Sequence, residues 1–194
     1  MADIGLEQLH EALSALGELL ESAGESCHLV VIGGSGLVAI HAVSRTTRDV
    51  DVVALEKDGA LVSAEPLPEA VVKAAATVAR DLGLEKNWLN PGPTGLLDLG
   101  LPAGFTDRLT GRDYGPRLRV SFASRVDQVF FKLYALADRQ EPRDFTDLRQ
   151  LEPTPAELRD AARWARTHNT PGPFDDQIAR TLDDLGVQDE GRDV

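Results

Sequence analysis

Asp49 and Asp51 stand two apart in Asp49-Val50-Asp51-Val52-Val53, downstream of the turn Gly33-Gly34-Ser35-Gly36. On a strand, residues two apart point to one face. Two carboxylates on one face repel, and keeping both ionised is costly unless a cation lies between them. A hard divalent ion such as Mg²⁺, which takes oxygen ligands, answers that cost. The glycines permit positive φ and close approach to the backbone. If a helix follows them, its first N–H groups favour an anion, and the Ser35 hydroxyl adds a donor. Metal-holding carboxylates beside a phosphate-binding turn suit transfer at a phosphorus atom. There the protein's task is to neutralise and align.

The surrounding elements must hold these groups together. His28–Ile32 is short, apolar and partly β-branched, as a buried strand requires. Leu37–Val43 has the length of about two helical turns, Ser44–Arg48 is polar, and Asp49–Val53 reads as the second strand. Upstream, leucines at 6, 9, 13, 16, 19 and 20 give a helix that ends at Gly24. Glu56–Leu67 reads as a polar connection. Pro68–Leu82 is a helix with Val71, Val72, Ala75, Val78, Ala79 and Leu82 on its apolar face and Gly83 as its cap. Gly95–Leu101 and Leu118–Ala123 are candidate strands, the second alternating Leu118, Val120 and Phe122 against Arg117, Arg119 and Ser121. Pro102–Pro116 is a loop or short hairpin. Asp98 falls on the first of these strands and is a candidate third ligand, or a plain exposed acid.

The second half reads as helical. Ser124–Arg139 carries Val126, Val129, Phe130, Leu133, Leu136 and Ala137 as its core stripe, with Lys132 in the middle. Such a lysine either snorkels or has a partner for its charge. Beyond Pro142, Asp144 and Asp147 share a face at a spacing of three. Thr154 is an N-cap with Pro155 at the first helical position. Asn169–Pro173 is a turn, Asp175–Leu185 a last short helix and Gln188–Val194 a polar tail. The expected organisation is an α/β core over 1–123 and a helical C-terminal region over 124–194.

The Gly-Ser turn, short helix and Asp-x-Asp resemble the nucleotidyltransferase superfamily that includes DNA polymerase β. Gly33-Gly34-Ser35-Gly36-Leu37 followed by Arg45-Thr46-Thr47-Arg48-Asp49-Val50-Asp51 is more closely similar to its AbiEii/MenT toxin-type branch. The set Lys132, Ala135, Arg143, Asp144, Asp147 and Leu148 resembles that branch's second signature, and Trp88-Leu89-Asn90 is similar to a segment of some of its members. The resemblance implies a nucleotidyltransferase fold, a small mixed sheet with helices plus a helical C-terminal part. It implies that Asp49 and Asp51 hold Mg²⁺, that Gly33, Gly34 and Ser35 bind the triphosphate, and that Thr47 orients the site. Lys132 would contact nucleotide phosphates, so that its replacement by Met should spare stability. Asp144 would hold Lys132 or the site in place, or meet the nucleotide, while Asp147 would cap the following turn. The implied activity is transfer of a nucleotide from an NTP, by the toxin of a toxin–antitoxin pair acting on tRNA 3′ ends. A protein antitoxin would be its partner. The alternatives are an antibiotic-type transferase acting on a small molecule, or a module that keeps the fold for binding alone.

Composition bounds these readings. The 194 residues carry a net charge of −12, which disfavours indiscriminate nucleic-acid binding. The acid is uneven: residues 1–100 hold 6 basic and 15 acidic side chains, residues 108–166 hold 12 basic and 9 acidic. Any basic face is therefore expected on the second half. Cys27 is the only cysteine, so no intrachain disulfide forms. The first twenty residues carry acids rather than the basic start of a secretory signal, and no run has the length of a membrane span. A cytoplasmic setting is the expectation. The four histidines, at 10, 28, 41 and 168, lack metal-ligand spacing, and no Walker-type lysine follows the glycines.

Overall fold

The computed structural model describes residues 3–168 and 172–189. The chain divides into two compact units, Met1–Ser124 and Arg125–Val194. The turn expected at Asn169–Pro173 and the tail from Gln188 lie largely outside the described residues.

The first unit is built on a six-stranded mixed sheet. Its central strand β1 (Cys27–Ile32) pairs antiparallel with β2 (Val50–Lys57) and parallel with β6 (Leu118–Phe122). On the far side of β2 lie β3 (Ala60–Val62), antiparallel, and the two-residue β4 (Leu89–Asn90), parallel. β5 (Thr110–Asp113) closes the other edge against β6. Helix α1 (Leu6–Ala23) buries Leu9, Ala12, Leu13, Leu16 and Leu20, the face its leucine spacing requires. At about 1.5–3 kcal/mol for each fully buried large aliphatic side chain, this stripe is a main contributor to the core. Gly24 ends α1 and Gly83 ends α3 (Glu69–Leu82), both in the left-handed region, as the sequence predicts.

Several elements differ from the sequence reading. The Glu56–Leu67 connection contains a hairpin: Asp58 and Gly59 both take positive φ, the conformation of a type I′ turn, and return β2 into β3. The expected strand at Gly95–Leu101 is instead a 3-10 turn, Gly92–Thr94, running into the short helix α4 (Gly95–Leu99). Its leucines do not alternate with polar residues, and so short an apolar run does not separate strand from helix. Asp98 is accordingly exposed on a helix rather than placed on a strand. In α3 Val72 is exposed and Ala74 buried, because Ala74 belongs to the stripe of Val71, Ala75 and Val78. Pro102–Pro116 does contain a hairpin strand, β5.

The second unit packs helices around α5 (Arg125–Arg139), which meets α6 (Pro142–Gln150), α7 (Pro155–Arg166) and α8 (Pro173–Asp184). Thr154 caps α7 in a capping box: its hydroxyl accepts from Glu157 N–H, and the Glu157 carboxylate accepts from Thr154 N–H at 2.8 Å. Trp164 on α7 meets Phe130, Phe131 and Tyr134 edge-on, each at 5.8 Å between centroids. Among the described residues no helix is long and apolar enough to cross a membrane.

Gly17 is where α1 comes closest to the β5–β6 hairpin. A β-carbon there would lie 2.9 Å from the Tyr114 carbonyl carbon and closer still to its oxygen. Backbone cannot yield as a side-chain tip can. Gly17→Ala should therefore destabilise the protein by about 1–3 kcal/mol despite alanine's better helix propensity. Denaturant unfolding of the variant checks this, and an unchanged or raised midpoint would contradict the close packing.

Candidate nucleotide-transfer site

The carboxyl end of β1, the turn after it and the start of β2 converge on one spot in the first unit. In register, Ile32 at the end of β1 opposes Asp51 on β2. The next residue, Gly33, has φ +71° and already begins helix α2 (Gly33–Ala39). The helix thus starts at the glycines, not at Leu37 as the sequence suggests, and it is over before Val43, with His41 at φ 58°. A β-carbon on Gly33 would sit 2.2 Å from Asp51 Oδ2. The Asp51 carboxylate therefore rests on the backbone of the turn, in space that only glycine leaves.

Gly34 does the same for Thr47. A β-carbon there would lie 2.6 Å from Thr47 Oγ1 and 3.4 Å from a guanidinium nitrogen of Arg45. Both glycines make room for side chains of the Arg45–Asp51 segment. Thr47 is buried, tied by its backbone to Ile4 through bonds of 2.6 and 2.9 Å. Its hydroxyl lies 3.4 Å from both the carbonyl and Oδ1 of Asp49, at the long limit of a hydrogen bond. Asp49 lies one residue before β2 rather than on it, and Asp51 is its second residue. Ser35 is fully buried, and its hydroxyl has no hydrogen-bond partner.

Asn90 also belongs here, though the sequence marks it only within Trp88-Leu89-Asn90. β4 pairs Asp51 with Asn90, and Asn90 Nδ2 donates to Asp51 Oδ1 at 3.3 Å. Its Oδ1 accepts from Gly92 N–H at 2.9 Å, which fixes which way the amide faces. Trp88, completely buried, anchors the strand by donating from Nε1 to the Ala75 carbonyl at 2.9 Å.

Asp49 and Asp51 offer oxygen ligands only, which fits a hard ion such as Mg²⁺. Asp49 and Asp51 are the residues that would hold it.

Lys132 and Asp144 belong to the second unit. Lys132 is buried on α5, and its ammonium meets Asp144 Oδ1 at 2.8 Å and Asp147 Oδ2 at 2.7 Å, both on α6. The spacing of three puts both carboxylates on one face, as read from the sequence. Asp144 also accepts from Arg139 Nε at 2.7 Å. Burial alone would raise the Asp144 carboxyl, but the Arg139 hydrogen bond and the Lys132 ammonium hold it below the ordinary value of 3.8. Lys132 does not snorkel, and the charge on a buried lysine is matched by buried acids.

A mixed sheet with a glycine-serine turn against Asp-x-Asp is the architecture of a nucleotidyltransferase domain. The chain belongs to the family described as "Nucleotidyltransferase of unknown function (DUF6036)", whose model matches residues 7–152. That span takes in the turn, both aspartates, Asn90 and the Lys132 cluster. No curated protein and no solved structure matches the chain.

The ion cluster alters the expectation that Lys132→Met spares stability. Methionine keeps the stem's packing but removes the cation between two buried carboxylates, a loss of about 3–5 kcal/mol. Because the folded pKa of Asp144 is depressed, its contribution is complete above about 3.8 and is lost as pH falls through the lower folded value. The melting temperature of Lys132→Met should lie well below wild type at pH 7, with the gap narrowing in acid. Equal melting temperatures at pH 7 would remove the cluster as a stabilising feature.

Proposed function

We propose that this protein transfers a nucleotide from an NTP to an acceptor hydroxyl with Mg²⁺ held at Asp49 and Asp51. The observation that carries the proposal is the Ser35 hydroxyl, buried and unbonded in the turn that Asp51 rests upon. A buried hydroxyl without a partner costs about 1–3 kcal/mol. A phosphate oxygen seated in the turn would recover that cost. In this reading Gly33 and Gly34 keep the turn open to the metal strand, Ser35 donates to the triphosphate, and Thr47 steadies Asp49. Mg²⁺, when bound, supplies charge neutralisation on the phosphates. The acceptor hydroxyl oxygen forms its bond to the α-phosphorus and releases its proton to solvent, as the bridging bond to the β-phosphate breaks and pyrophosphate leaves.

Within the superfamily, the Arg45–Asp51 run and the Lys132–Leu148 set favour the AbiEii/MenT branch. We therefore propose the toxin of a toxin–antitoxin pair, with tRNA 3′ ends as acceptor and a protein antitoxin as partner, acting in the cytoplasm. Incubating the protein with each labelled NTP, Mg²⁺ and total RNA tests activity and acceptor together, and small-molecule hydroxyls in place of RNA test the antibiotic-type alternative.

Asp49→Ala and Asp51→Ala should each lower kcat/KM for transfer by at least about a hundredfold, since a metal ion stabilises the transition-state charge by several kcal/mol. The fold should persist, because each change removes one of two like charges. Wild-type turnover with Mg²⁺ in either folded variant would rule out the two-carboxylate site.

A further inference from the structure

Asn90 stands beside Asp51 and offers it an amide where an acid would offer a third carboxylate. It faces Asp51 across a strand pair only two residues long, Val50 with Leu89 and Asp51 with Asn90. That short strand is held by Trp88, which donates to Ala75 and whose carbonyl accepts from Val50 N–H at 2.5 Å. The Asn90 amide cannot turn over freely, because its oxygen is engaged by Gly92. The group presented to Asp51 is therefore an N–H donor, which is neutral and cannot ligate a cation. It directs Asp51 Oδ1 toward Asn90, while Asp51 Oδ2 lies over Gly33. Asp98, the acid that the sequence offers as a third ligand, is exposed on α4. Among the described residues no group of three or more histidine, cysteine or acidic side chains could hold a metal ion.

We infer that Asn90 is a positioning residue that orients Asp51 and keeps the site one carboxylate short, so that the divalent cation binds with its nucleotide rather than alone. The inference rests on the nucleotide-transfer reading of this site. Its physical basis is ligand number. Mg²⁺ gives up water reluctantly and binds through one or two carboxylates together with substrate phosphates. Two aspartates form only part of such a site, and the triphosphate and retained water would supply the rest. A third carboxylate beside Asp51 would raise the repulsion in the empty site and let it capture a cation unaided.

The test is a titration with Mn²⁺, read by electron paramagnetic resonance without nucleotide. Asn90→Asp should bind Mn²⁺ at least about tenfold more tightly than wild type, because it adds a unit charge at ligand distance. The gain should vanish when Asp51→Ala is added. Equal affinities in wild type and Asn90→Asp would overturn the inference. Asn90→Ala provides the second arm. Losing the amide removes the contact that orients Asp51 Oδ1, so the Mg²⁺ concentration for half-maximal transfer should rise several-fold, an effect that a purely structural residue would not cause. An unchanged Mg²⁺ dependence in folded Asn90→Ala would show that Asn90 does not orient Asp51. A wild type that transfers no nucleotide, combined with the Mn²⁺ gain in Asn90→Asp, would refute the transfer reading while supporting the ligand-number argument.

Discussion

Asp51 lies against Gly33 in space that a β-carbon would fill, and the arrangement of the turn against the Asp-x-Asp segment is built around that contact. For the carboxylate to reach the turn, β1 must end one residue before the glycine and β2 must set Asp51 opposite Ile32. The β-bulge between Val30 and Val31 enters this register. Gly33 must hold positive φ so that the chain leaves the strand and starts α2 at once. Gly34 then meets Thr47, and Thr47 is fixed from the opposite side by Ile4. The residues that would hold phosphate and those that would hold metal are therefore one packed arrangement.

The second unit solves a different electrostatic problem. A lysine, two aspartates and an arginine meet around the α5–α6 contact, with the lysine and both aspartates almost wholly removed from water. Taking such charges out of water costs several kcal/mol per ion, and only close, well-aligned partners recover it. The cluster therefore fixes geometry more than it adds stability: α6 must present Asp144 and Asp147 together, or the ammonium is stranded. A residue whose spacing on an apolar helix face looks anomalous in sequence is here the pin between two helices.

Much of this was legible in the sequence, for reasons that can be named. Asp-x-Asp after a glycine turn, the leucine spacing of α1, the glycine caps and the Asp144–Asp147 spacing are local patterns with local causes. The hairpin at Asp58-Gly59 was also there to be read, since Asp-Gly between apolar runs favours the turn it makes. Other features depend on contacts far apart in the chain. Asn90 reaches Asp51 only because a two-residue strand pairs across 39 positions, and nothing in its own neighbourhood announces that. The start of α2 at Gly33 is likewise set by the approach of Asp51, while glycine's weak helix propensity points to a later start. Within Gly95–Leu101, which the sequence suggests as a strand, Gly95–Leu99 is a helix, because so short a run carries too little periodicity to separate the two.

The charge distribution bears on what kind of acceptor this protein can favour. Residues 108–166 hold a surplus of basic side chains, which in sequence suggests a surface for nucleic acid. In the structure many of those cations already face acids. Arg119 pairs with Asp113, Arg125 with Glu157, Lys132 with Asp144 and Asp147, Arg139 with Asp144, Arg163 with Asp160, and Arg166 with Asp175 and Asp189. A paired cation adds little to the field felt at a distance, and the chain's net charge of −12 repels polyanions overall. Binding that depended on releasing counterions along a phosphate backbone would need a dense unpaired basic stripe. An RNA acceptor is therefore better selected at its terminus, by contacts to the few groups near the transferred hydroxyl, than along its length. Under the proposed transfer to RNA, that demand would suit a 3′ end, where the acceptor hydroxyl stands on the last nucleotide.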